Sequence, residues 1–190
     1  MEKKVAVFLD RDGVVNEAVR RGQDFVGREQ TGTWKHTAPF TVEEFRVFPE
    51  TADAVARIRA MGLLSIVVTN QPDLAYGRMT KDTFDKLEQL TRALGFDDVF
   101  ICPHGRDEGC SCKKPKPGML HDAARKWGID ISRSYIIGDT KSDTGVGKAA
   151  GCKTILIARS YNEEDHATAD VVVGSLGEAI DWIVRDRAGL

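Results

Sequence analysis

The sequence predicts an α/β protein built on a doubly wound parallel sheet. Six short runs rich in Val, Ile and Leu recur along the chain. Several are apolar at every position rather than alternating, as strands covered on both faces require. Amphipathic helical patterns alternate with these runs, and a β-α-β-α order implies right-handed crossovers between parallel strands. A third observation concerns chemistry. Polar residues gather where the runs end, and open parallel sheets bind ligands at the carboxyl ends of their strands.

The first run, Val5–Leu9, stops at Asp10 and Asp12 within VAVFLDRDGVVN. Residues 17–48 then form a long irregular stretch rich in Arg, Gly and Thr that holds Trp34, His36, Phe40 and Phe45. Thr41 and Glu44 suit one short helix inside it, and a loop of this length is read as a lid or rim over the sheet. Thr51 is expected to cap a helix with Ala54, Val55, Ile58 and Met61 on one face and Gly62 as its stop. The second strand, Leu63–Thr69, leads to a helix opened by Thr80, lined by Phe84, Leu87, Leu90 and Leu94, and closed by Gly95. Strand Asp98–Cys102 precedes a helix carrying Met119, Leu120, Ala123, Ala124 and Trp127 that ends at Gly128. Tyr135–Gly138, Thr154–Ala158 and Asp170–Val173 complete the strands. Ser175 and Glu178 form a capping box ahead of Leu176, Ala179, Ile180 and Ile183. The stretch GVGKAAG, Gly145 to Gly151, matches neither the dinucleotide fingerprint nor the P-loop, and its small residues suit a helix packed closely on the sheet.

A chain of 190 residues is expected to form one domain, residues 1–190, with a sizeable core. The 42% hydrophobic and 29% charged content is that of a globular protein, and a net charge of −2 supplies no basic excess for a nucleic-acid backbone. No stretch approaches a membrane span, and the apolar run before Asp10 is too short for a signal peptide. A cytoplasmic monomer that binds neither nucleic acid nor membrane is the expectation, with its thiols reduced.

The strand ends carry the chemistry. Asp10 and Asp12 follow the first strand, Thr69 and Asn70 close the second in VVTNQP, and Asp139 follows Tyr135–Gly138, with Asp143 behind it in GDTKSD. Lys113 and Lys114 enter from the loop before the Gly118–Trp127 helix. A single Asp at a strand end is ordinarily a turn or cap residue. Several carboxylates, a hydroxyl and a lysine at successive strand ends indicate an active site. Grouped carboxylates suit a hard cation such as Mg²⁺, and Thr69 with Lys114 supplies donors for an anion. That combination fits phosphoryl transfer, in which catalysis is largely positioning and charge stabilisation.

A second constellation spans residues 102–112. Cys102, His104, Cys110 and Cys112 in ICPHGRDEGCSC have a C-x-H-x5-C-x-C spacing, and three thiolates with one imidazole make a tetrahedral zinc set. Four protein ligands close the coordination sphere, so a zinc here is expected to be structural, fixing the segment that delivers Lys113 and Lys114. Cys152, in AAGCKT, reads as a small buried apolar residue.

DRDGVVN, TNQ, KPKPGM and GDTKSD together resemble the four motifs of the haloacid dehalogenase superfamily of phosphohydrolases, across nearly the whole chain. The Cys/His loop points to the branch containing heptose bisphosphate phosphatase and histidinol phosphatase. The resemblance implies a Rossmann-like core without a large cap domain. It implies that Asp10 is the nucleophile, forming an aspartyl-phosphate, and that Asp12 is the acid and then the base. It also implies Mg²⁺ held by the Asp10 carboxylate, the Asp12 carbonyl and the Asp139 carboxylate, with Thr69 and Lys114 on the transferring oxygens. Asn70, Lys113 and Asp143 join the substrate-binding set, Asp143 orienting Lys114, binding a metal-bound water or capping the next helix.

Three features depart from the heptose bisphosphate pattern: TNQPDLAYGRMT after the second strand, with Tyr76 at the usual arginine position; Lys113 before the catalytic lysine, where arginine is common; and the long 17–48 loop. Lysine supplies a point charge where arginine forms a fork. The expected substrate is a small phosphorylated metabolite, foremost a sugar phosphate such as D-glycero-D-manno-heptose 1,7-bisphosphate. Histidinol phosphate is the alternative within the class. A receiver-type signalling domain is the alternative outside it, since it also joins an acidic Mg²⁺ cluster to a phosphorylated aspartate.

Overall fold

The computed structural model describes residues 3–22 and 36–189. A parallel six-stranded sheet is formed by β1 (Ala6–Leu9), β4 (Leu64–Asn70), β5 (Asp98–Cys102), β6 (Tyr135–Gly138), β7 (Lys153–Ile157) and β8 (Val171–Val173), in the order β5-β4-β1-β6-β7-β8. A small antiparallel pair, β2 (Val19–Arg20) and β3 (His36–Thr37), branches off after β1. The helices are α1 (Thr51–Ala60), α2 (Lys81–Ala93), α3 (Gly118–Trp127), α4 (Lys141–Ala150) and α5 (Leu176–Ala188).

Every side chain of β1 is fully buried. Successive residues point to opposite faces, so both faces need apolar cover. On one side Val7, Leu9, Val67, Ile137 and Ile155 pack with Ala54 and Ile58 of α1 and Ile180 and Ile183 of α5. On the other, Ala6, Phe8, Ile66, Val68 and Ile136 meet Met119, Leu120 and Ala123 of α3 and Val146 of α4. Each such side chain contributes roughly 1.5–3 kcal/mol when fully buried. Cys152 joins the second cluster, and burial pushes its thiol up to about 12.

The order in which the chain adds strands reverses at β1. β1 pairs with β4 through Leu9 and Val67 and with β6 through Leu9 and Ile137. The chain winds outward from β1 in both directions, and the loops after β1 and β6 part to opposite faces. The crevice thus opened lies beyond Leu9 and Gly138, where Asp10, Asp12 and Asp139 stand.

Strands β5 and β6 keep the expected bounds, and the other four shift by one residue or so. Asp170 falls outside β8 because its carboxylate accepts hydrogen bonds from the Thr154 amide and hydroxyl, both at 2.8 Å. The Thr80 hydroxyl caps α2 by accepting from the Thr83 amide. Thr51 does not cap α1. The helix begins on it, and its hydroxyl donates to the Val15 carbonyl at 2.9 Å, tying α1 to the loop after β1. Glu50 precedes α1 and instead accepts from the Leu176 amide at the start of α5. Ser175 caps α5, while Glu178 reaches the Gly174 amide rather than that of Ser175.

The short helix expected at Thr41–Glu44 is a turn closed by the Phe45 amide on the Val42 carbonyl. The Glu44 carboxylate is taken up by the Arg21 guanidinium, at 2.6 and 2.8 Å, and by the Phe40 amide. Part of the long loop, Trp34 included, lies outside the described residues. GVGKAAG lies within and just after α4, where a Cβ on Gly147 would stand 2.6 Å from Ile136 and 2.4 Å from Thr154. That glycine lets α4 approach the sheet. Among the described residues, no helix is long and apolar enough to cross a membrane.

Candidate active site

Asp10 leaves β1 with its amide donating to the Ile137 carbonyl, which continues the β6 ladder by one step. Its carboxylate accepts from the Arg11 amide at 2.7 Å and lies 2.8 Å from the Lys114 ammonium. Lys114 also reaches Asp143 at 2.5 Å and the Val68 carbonyl at 2.9 Å. An ammonium has three donors, and all three of these are engaged. Asn70 fastens the lysine backbone from both sides, accepting from its amide at 3.0 Å and donating to its carbonyl at 3.2 Å.

Oxygens of Asp10, Asp139 and Asp143 lie within 4.8 Å of one another. Asp139 and Asp143 are buried, and Lys114 is the basic residue among them. Burial first, then the charge of Asp143, pushes the Asp10 carboxyl up to about 6, against the pull of Lys114. Burial and the charges of Asp143 and Asp10 hold Asp139 well above the carboxylate range. Three carboxylates against one ammonium leave an excess of negative charge, which a divalent cation would balance. Asp139 accepts from the Tyr161 hydroxyl at 2.5 Å through one oxygen, and its other oxygen is buried without a hydrogen-bond partner among the described residues. An orphaned buried oxygen in an all-oxygen donor set fits Mg²⁺. Gly13 permits this crowding: its φ is +84°, and a Cβ there would lie 2.1 Å from an Asp139 oxygen.

Asp12 belongs to a separate network. One of its oxygens accepts from Arg11 Nε at 3.1 Å and Asn16 Nδ2 at 3.0 Å. The other accepts from Arg11 Nη2 at 3.1 Å and Gln71 Nε2 at 2.6 Å. Gln71 also donates to the Thr69 hydroxyl at 3.0 Å and accepts from Arg11 at 2.6 Å. Thr140, not Asp143, is the N-cap of α4; Asp143 is its third residue, where it accepts from the Thr140 amide at 3.1 Å in a capping box while its other oxygen accepts from Lys114 at 2.5 Å.

The Cys/His loop converges as its spacing implies. Cys102 Sγ is 3.7 Å from both Cys110 Sγ and His104 Nδ1, and Cys112 Sγ is 3.1 Å from Cys102 Sγ and 3.2 Å from His104 Nδ1. Ligand atoms of a tetrahedral site with bonds of about 2.0–2.3 Å stand roughly 3.3–3.8 Å apart; two of these separations fall in that range and the two to Cys112 are a little shorter, so the four atoms are close enough to share one metal ion. Lys113 donates to the His104 carbonyl at 3.3 Å, and the Tyr76 hydroxyl accepts from the Arg106 amide at 2.9 Å. Both departures from the expected arginines therefore brace this loop.

Sequence reasoning located the strand-end acids but missed Arg11, Asn16 and Gln71, although Arg11 lies inside DRDG and Gln71 inside TNQ. Both are buried beside a carboxylate and need partners there, but burial is not written in the sequence; their places inside those motifs were the only signal. Tyr161 and Asn162, the latter donating to the Asp139 carbonyl at 2.6 Å, lie more than twenty residues from Asp139 and carry no local signal.

A HAD-hydrolase-like family model matches residues 111–179, which include Lys114, Asp139 and Asp143. The chain is 30% identical over 198 residues to D-glycero-beta-D-manno-heptose-1,7-bisphosphate 7-phosphatase of Vibrio cholerae, covering 96% of this chain and 97% of that protein. The chain belongs to the heptose bisphosphate phosphatase family of haloacid dehalogenase-like hydrolases. The Rhodopseudomonas palustris member is 35% identical over 163 residues, covering 78% of this chain and 81% of its own. The D,D-heptose 1,7-bisphosphate phosphatase of B. bronchiseptica, solved with magnesium and phosphate, superposes with a TM-score of 0.76 at 28% identity, over 96% of this chain and 99% of that one. Membership makes the protein a phosphatase and sets aside the receiver alternative.

Proposed function

We propose that this phosphatase removes the 7-phosphate of D-glycero-D-manno-heptose 1,7-bisphosphate. The supporting observation is end-to-end similarity to enzymes of that name, combined with an Asp10–Lys114–Asp143–Asp139 cluster built for phosphoryl transfer. Asp10 attacks phosphorus in line, and the bond from phosphorus to the sugar oxygen breaks as the aspartyl-phosphate forms. Asp12 supplies a proton to the departing oxygen. It then takes a proton from the water that attacks the aspartyl-phosphate, which releases inorganic phosphate and restores the Asp10 carboxylate. Thr69 and Lys114 hold the transferring oxygens, with Lys114 sharing a donor now given to Asp10, Asp143 or Val68. The carboxylates of Asp10 and Asp139 and the Asp12 carbonyl would hold Mg²⁺, which when bound shields the phosphate from the anionic nucleophile.

Substrate choice is tested by Mg²⁺-dependent phosphate release from both heptose 1,7-bisphosphate anomers, histidinol phosphate, other sugar phosphates and an aryl phosphate. The heptose bisphosphate is expected to lead, with kcat/KM of about 10⁵ M⁻¹s⁻¹ or more. A lead for histidinol phosphate would transfer the assignment within the class.

The Cys/His set is proposed to hold a structural Zn²⁺. Its place one residue before Lys113 gives it a mechanical task, since Lys114 must be held to within a fraction of an ångström. Cys110→Ser is expected to lower zinc content by metal analysis and to reduce the thermal midpoint by several degrees. Purified wild type free of zinc would refute the assignment.

A further inference from the structure

We infer that Gln71 is a positioning residue that couples the general acid–base Asp12 to the phosphoryl ligand Thr69. The main-chain amide and both side-chain polar atoms of this buried residue are hydrogen-bonded. Its backbone amide donates to the Cys102 carbonyl at 2.7 Å, which fixes it to the end of β5 and to a member of the Cys/His set. The side-chain carbonyl accepts from Arg11 at 2.6 Å. The side-chain nitrogen donates to Asp12 at 2.6 Å and to the Thr69 hydroxyl at 3.0 Å.

These directions have a consequence for each partner. A threonine hydroxyl has one proton and two acceptor sites. Because Thr69 accepts from Gln71, its own proton is left for a phosphoryl oxygen. Asp12, for its part, receives one donor from Gln71, one from Asn16 and a pair from Arg11, and Gln71 holds that arginine as well. The distance between the proton donor to the leaving oxygen and the donor to the phosphoryl oxygens is thereby set by one planar amide. An apolar residue of the same size would fill the space and set neither. Filling space alone would not require a buried amide, whose desolvation is costly without such partners.

The inference rests on the acid–base assignment of Asp12, and the experiment separates the two. The burst of phenol release under single-turnover conditions reports only the first chemical step. It is measured for p-nitrophenyl phosphate, whose leaving group needs no proton, and for phenyl phosphate, whose leaving group does. For Gln71→Met the phenyl phosphate burst is expected to fall about 10²-fold more than the p-nitrophenyl phosphate burst. A residue that merely fills space or supports phosphate binding would slow both substrates in parallel, and that result would overturn the inference. Gln71→Glu keeps the shape and the acceptor for Arg11 while removing the donor. It serves as the second variant should Gln71→Met not fold, with the same divergence expected. Asp12→Asn is the control. If its two bursts fall in parallel, the acid assignment itself is wrong. If it diverges while both Gln71 variants do not, only the role of Gln71 is lost.

Discussion

Turnover is expected to fall by roughly 10⁴-fold or more when Asp10 is replaced by Asn, a scale set by removing a nucleophile whose partners act as one unit. The replacement is conservative in shape. An Asn carbonyl at this position can still accept from the Arg11 amide and from Lys114, now at 2.7 and 2.8 Å from the Asp10 carboxylate. What it cannot do is attack phosphorus as an anion. The loss therefore belongs to the chemical step, and fold and phosphate binding should survive. Single-turnover phosphate release with Mg²⁺ reads the first quantity, and binding of inorganic phosphate reads the second. Near-normal turnover in the variant would remove Asp10 as nucleophile. A loss of phosphate binding as large as the loss of rate would place its role in the ground state instead.

The legible part of this site was the part written in strand periodicity. Leu9, Asn70 and Gly138 end their strands side by side because β4 and β6 flank β1, so residues at those ends had to meet. Once the apolar runs were placed, the meeting of Asp10 with Asp139 followed from the topology. Thr80 as a cap was legible for a similar reason, since an N-cap interaction spans only three residues. Glu50 shows the opposite case. Its sequence position suggests the start of α1, yet its carboxylate serves α5, more than a hundred residues on, and no local pattern encodes that. Likewise Arg11 reads as a surface charge until Gln71 and Asp12 are seen to enclose it. His36 gained a context through the β2–β3 pair, where it stacks on Tyr161 with ring centroids 4.3 Å apart. Tertiary contacts made across the active-site crevice are what the one-dimensional pattern lacked.

Lys114→Met is expected to be the most destabilising single change in the site, and its cost should grow as pH rises toward neutrality. The ammonium is buried between Asp10 and Asp143, and Asp139 is close enough for Lys114 to pull its carboxyl downward. Removing one member of a buried ion network leaves uncompensated charge, at about 3–5 kcal/mol. The sign follows from the carboxyls. Asp10 is raised from 3.8 to about 6 in the folded chain, so folding disfavours its charged form. For the metal-free protein that penalty is absent below the unfolded pKa and grows as pH rises toward the folded one. Lys114 lowers the Asp10 and Asp139 carboxyls, so without it both rise further and the penalty extends to neutral pH. Urea unfolding of metal-free parent and variant is expected to differ little near pH 4.5 and by several kcal/mol near pH 7.5, about one and four units above the unfolded pKa. An ordinary surface ion pair changes in the same direction, but by only about 0–1 kcal/mol and in the usual carboxylate range, where acid neutralises its carboxylate. Added Mg²⁺ should restore part of the difference at the higher pH, because the same oxygens would hold it. Equal destabilisation at both pH values would mean that Lys114 acts through packing and its bond to Val68, and that carboxylate repulsion does not set the charge balance of the site.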